Sequence, residues 1–102
     1  MFSPITVEVP EELRALLPTF LHNRQADVAL LEAALAVGDL MTIQQTGHNL
    51  KGVGGGYGFI QITRLGERLE ALCAVGDRLA LADCIHDLRA FLAHVNVVFV
   101  SG

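Results

Sequence analysis

Apolar residues recur along this chain at steps of three and four, the period of one helix face, in four successive stretches. The first carries Leu21, Val28, Leu31 and Leu35 and runs to Gly38, where a helix can end in the left-handed conformation. Arg24 interrupts that stripe, and its simplest reading is an aliphatic stem over the core edge with its charge in water. Asp39 follows as an N-cap for the second stretch, about residues 39–56, whose apolar face is Leu40, Ile43, Leu50 and Tyr57. Phe59, Ile62, Leu65, Leu69 and Leu72 mark the third. Gly76-Asp77 then repeats the Gly-Asp punctuation, and a last helix from near Arg78 aligns Leu81, Cys84 or Ile85, Leu88, Phe91 or Leu92, and Val95.

Before these stretches, Pro10 with Glu11 and Glu12 has the form of a helix start, since proline suits the first turn and acidic side chains suit the positive helix end. This short helix is expected to run to about Leu17, with Pro18 and Thr19 as punctuation. No alternating strand pattern is read before the tail Val97-Val98-Phe99-Val100, whose β-branched residues form helix poorly yet can still extend the last one. The predicted fold is all-α: an antiparallel up-down four-helix bundle with a short N-terminal capping helix.

Composition narrows the function classes. A chain of 102 residues, 52% apolar, forms one small domain and leaves no room for a separate nucleotide-binding domain. A net charge of -4 without a basic run argues against nucleic acid, whose backbone is met by clustered Lys and Arg. Cys73 and Cys84 lack a CxxC spacing and read as small buried apolar side chains. No apolar run approaches the roughly 20 residues that cross a bilayer, and Met1-Phe2-Ser3-Pro4 does not begin a secretory leader, so a soluble cytoplasmic protein is expected.

The compositional anomaly lies in the second helix, which carries His48 and Lys51 and then five glycines within residues 52–58. Each glycine costs a helix roughly 1 kcal/mol relative to alanine, so a helix that keeps them uses the space. At about 100° per residue, Ile43, Gly47, Leu50, Gly54 and Tyr57 share the inner stripe and His48 lies about 140° from its centre. His48 therefore faces solvent. Gln44, Lys51, Gly52 and Gly55 fall within about 60° of it. Gly47 and Gly54 then permit close helix packing, while Gly52 and Gly55 clear the outer face. An imidazole in water is nucleophilic near neutral pH, and an adjacent ammonium can offset the charge of a phosphoryl group placed on it.

The spacing His-x-x-Lys-Gly-x-x-x-x-x-Gly, carried by His48, Lys51, Gly52 and Gly58, resembles the histidine-containing phosphotransfer (HPt) domains of bacterial multistep phosphorelays. The resemblance continues into Leu65 and Leu69-Glu70 and covers nearly the whole chain as a single HPt domain, residues 1–102. It implies a phosphorelay intermediate in which His48 accepts a phosphoryl group from, or returns it to, the aspartate of a response-regulator receiver domain. Lys51 would stabilise phosphohistidine and Gly52 would leave room for it. The receiver would supply the acid residues and Mg²⁺, so no cofactor of its own is implied and the chain is a carrier, not an enzyme. A hybrid histidine kinase is a second candidate partner, and a monomer is expected. Gln44, Gly55 and Phe59 are candidates for the docking surface, with Ile60 beside them, although the core is the preferred place for Phe59.

Three other readings compete. A histidine-kinase dimerisation piece also displays a histidine on a bundle, but Lys51 is followed by Gly52, which breaks the Walker A pattern, and the glycine spacing fails GxGxxG. Metal or haem binding through His22, His48, His86 and His94 lacks any HxxxH or Glu-x-x-His pair. A helical interaction module or a phosphorelay antagonist with an idle histidine is the remaining alternative.

Overall fold

The two Gly-Asp pairs set the corners of the molecule. In the computed structural model, which describes residues 5–101, Gly38 ends helix α1 (Leu17–Val37) at φ 74° and Gly76 ends helix α3 (Ile60–Val75) at φ 69°. A side chain there would be strained, and glycine is not. Asp39 caps α2 (Leu40–Gly56), accepting from the Thr42 backbone N–H at 3.1 Å and from its hydroxyl at 2.6 Å. Asp77 caps α4 (Arg78–His94) through the Ala80 N–H at 3.0 Å. Arg78 also donates to the Leu35 carbonyl at 2.9 Å, so the two corners are tied across one end of the bundle. Each helix packs on the next, and α4 returns to α1.

The predicted stripes face inward. Leu31, Ile43, Leu50, Ile62, Leu69, Leu81 and Leu88 are fully buried. An aromatic cluster fills one end of this core. The Phe59 ring lies 5.3 Å from Phe20 and 6.2 Å edge-on from Phe91, and Tyr57 stacks on Phe20 at 4.0 Å. Cys73 and Cys84 are free thiols, part-buried and buried, and burial pushes both up in pKa.

Three local expectations are corrected. The N-terminal element is a 3₁₀ helix, Glu11–Leu16, that runs directly into α1. Pro18 does not separate them, because it occupies the first turn of α1, where no backbone N–H is required. The tail does not extend α4. Val95 turns to φ -64°, ψ 136°, and strand β2 (Asn96–Val100) pairs in parallel with a strand absent from the sequence reading, β1 (Thr6–Pro10). The alternation Thr6-Val7-Glu8-Val9 carries that strand, with Val7 and Val9 buried beneath it and Thr6 and Glu8 exposed. Arg24, finally, does not hold its charge in water. Its side chain is 14% exposed, its Nε lies 2.8 Å from Asp27, and its guanidinium sits 5.1 Å over the Phe20 ring. Burial pushes the Asp27 carboxyl up, and Arg24 partly offsets that rise.

Candidate functional site

Glycines bring α2 and α3 together and so place the histidine. A Cβ on Gly66 would lie 2.5 Å from the Gly47 carbonyl oxygen and 2.6 Å from the Lys51 nitrogen, and one on Gly47 would lie 2.9 Å from the Leu69 Cβ. Backbone therefore meets backbone at this crossing. Gly54 seats against Thr63 and the Phe59 carbonyl in the same way, and the Thr63 hydroxyl donates to the Lys51 carbonyl at 3.2 Å. On the opposite side of α2, a Cβ at Gly52 or Gly56 would meet nothing within 4 Å, and one at Gly55 only the Thr63 hydroxyl at 4.0 Å. The glycines fall into the two groups that the helical wheel separates.

His48 stands on the open side with its side chain 71% exposed. The close approach of α3 carries Glu70 to it. The His48 Nδ1 lies 3.2 Å from Glu70 Oε2, and the Lys51 Nζ lies 3.9 Å from Glu70 Oε1. When Nδ1–H donates to this carboxylate, the lone pair is on Nε2, the other ring nitrogen. One carboxylate thus orients the imidazole and also holds the neighbouring ammonium. Both contacts are solvent-exposed, so their value is positional more than energetic.

Sequence expectations distribute unevenly over this face. His48, Lys51, Gly52, Gln44 and Gly55 are all exposed on α2, and Gln44 shares a shallow hollow with Met41, Gln45, His48 and Glu70. Phe59 is corrected as a docking residue: it is fully buried between Phe20 and Phe91 and offers no surface to a partner. Met41, 79% exposed beside His48, is the apolar side chain on this face that sequence reasoning passed over. Glu70 entered the sequence reading only through the family pattern. No spacing within α2 or α3 alone places position 70 against position 48; the glycine crossing does.

Among the described residues no three of His, Cys, Asp and Glu gather as a metal site requires. No helix of the described residues is long and apolar enough to cross a membrane. Comparison with curated proteins and with solved structures gave no match. A family model does match: the Hpt domain, over residues 15–97, a span that contains all four helices and the His48–Glu70 pair. The chain belongs to the Hpt domain family, phosphoryl carriers rather than catalysts, and its role is histidine phosphotransfer in a phosphorelay through contact with receiver domains.

Proposed function

We propose that His48 is the phosphoacceptor and that its Nε2 is the attacking atom. The observation that carries this reading is the Glu70 contact at Nδ1, which leaves Nε2 as the nucleophilic nitrogen of an exposed ring beside the empty space at Gly52. Nε2 attacks the phosphorus of a receiver's aspartyl phosphate. The N–P bond forms as the acyl P–O bond breaks, the aspartate leaves as carboxylate, and the Nδ1 proton stays on the ring, shared with Glu70. The reverse sequence discharges the carrier. In-line geometry and charge compensation are what such a transfer needs, and the receiver brings Mg²⁺ and its acid residues to supply the remainder.

Lys51 turns from Glu70 to the phosphoryl oxygens once they arrive, a charge-assisted contact in place of a long, exposed ion pair. Gln44 and Gly55 border the receiver's footprint, and Met41 provides its apolar part.

A panel of phosphorylated receiver domains tests the proposal. Label is expected to pass to the wild-type chain as acid-labile phosphate and to be absent from His48→Gln, whose thermal midpoint stays unchanged because position 48 is exposed. ATP and Mg²⁺ alone are expected to label neither. Phosphate retained by the His48→Gln variant would overturn the assignment. Partner regulation that survives in that variant would make the chain an interaction module with an idle histidine.

A further inference from the structure

We propose that the cavity between α3 and α4 binds a small organic anion, an apolar body carrying one carboxylate. The cavity measures 660 Å³, within the roughly 300–1,000 Å³ of small-molecule sites. It shares no residue with the hollow around His48. Its α3 contributors, Gln61, Arg64, Leu65 and Arg68, lie about 140–240° around that helix from Glu70. The ligand therefore sits behind the phosphotransfer face.

Chemistry of the lining selects the ligand. Leu65, Ala90 and Phe91 give an apolar floor, Leu65 and Phe91 themselves being buried core residues. Around it stand three of the chain's seven Lys and Arg but one of its eleven carboxylates. In a chain of net charge -4 this is a local reversal of sign, and it favours an anion. The three cations are not equivalent. Arg68 is paired with Asp87 at 3.1 Å and Arg89 with Glu32 at 2.6 Å, whereas Arg64 has no partner among the described residues. A planar guanidinium with free donors matches a carboxylate in two hydrogen bonds. Gln61 lines the same wall one turn of α3 before Arg64 and adds a neutral polar side chain to it.

Titration with octanoate and with its neutral counterpart octanamide, followed by calorimetry and amide chemical shifts, decides the matter. Octanoate is expected to bind with a Kd below about 1 mM and to shift Leu65, Ala90 and Phe91, with octanamide about tenfold weaker. Arg64→Gln, which breaks no ion pair, is expected to weaken octanoate about fivefold, and Ala93→Glu, a new carboxylate on the exposed rim, to abolish its binding. Arg14→Gln, away from the cavity, is expected to leave binding unchanged. Equal affinity for octanamide, shifts centred elsewhere, or no binding up to the millimolar range would each overturn the proposal.

Discussion

His48 keeps its orientation through one carboxylate, and that carboxylate has two claimants. With Nδ1 at 3.2 Å and the Lys51 ammonium at 3.9 Å, Glu70 is the part of the site whose charge can be removed without removing its shape. Glu70→Gln retains an acceptor for Nδ1–H and loses the charge that favours a developing imidazolium. Single-turnover transfer from a phosphorylated receiver is expected to slow about tenfold, or about 1.4 kcal/mol at the barrier, with the thermal midpoint unchanged. A rate equal to wild type would show that Glu70 does nothing but fill space. At this scale the sequence was a good guide wherever a property belongs to one helix: the exposure of His48 and the two classes of glycine follow from angles around α2. Glu70 it marked only through the family pattern and did not set against His48, because which residue of α3 faces position 48 depends on how deeply two backbones nest. Phe59 was ambiguous for a similar reason, since an aromatic at a helix start packs inward or outward according to partners such as Phe20 and Phe91 that sequence distance hides.

Between elements, the α2–α3 crossing is the most demanding contact. Gly66→Ala sets a methyl against the Gly47 carbonyl and the Lys51 nitrogen, backbone atoms that cannot move aside, and is expected to lower stability by roughly 2–4 kcal/mol in chemical denaturation. Gly52→Ala meets open space on a helical backbone and is expected to raise stability by about 0.5–1 kcal/mol. If Gly52 clears the approach to His48, that stabilised variant transfers phosphate more slowly, so the two measurements move in opposite senses. Helix ends follow local rules and were legible: both Gly-Asp corners behave as their residue types require. Pro18 was not, because the same proline that stops a helix from within opens one at its first turn. The Asp39 cap has a pH signature. Its carboxyl is held below the ordinary range by the Thr42 hydroxyl and then by the Thr42 N–H, so the unfolded chain takes up this proton more readily. The cap's contribution is complete above the unfolded value near 4 and is lost as pH falls through the lower folded value. Asp39→Asn, an equally good cap, is expected to match wild type at pH 7 in thermal unfolding and to lose less stability on acidification; a parallel acid profile would refute the linkage.

For the whole molecule, the bundle was legible because four stripes of similar length admit few other arrangements. The parallel pair of strands was not. Four alternating residues near one end and an apolar run near the other carry no mark that they are partners, and the link between them is the entire bundle. Asn96 N–H donates to the Ile5 carbonyl at 2.9 Å, and in a parallel ladder this sets the Val98 N–H toward β1 as well. Val98→Pro removes that donor. It is expected to speed amide exchange in β1 at least about tenfold while the centres of α2 and α3 keep their protection, which hydrogen exchange resolves residue by residue. Uniform loss of protection would mean that strands and bundle unfold as one unit.

The same pairing imposes an order on biosynthesis. Thr6 and Asn96 meet across 90 residues, so β1 leaves the ribosome long before β2 exists to join it. At about 5–20 residues per second, Val7 and Val9 wait roughly 5–20 s without their partner strand. A nascent chain arrested before Asn96 can wind its helices but leaves β1 an unsatisfied edge, open to any extended segment nearby. Closure of the domain is thus registered in backbone hydrogen bonds between the first and last of its described elements.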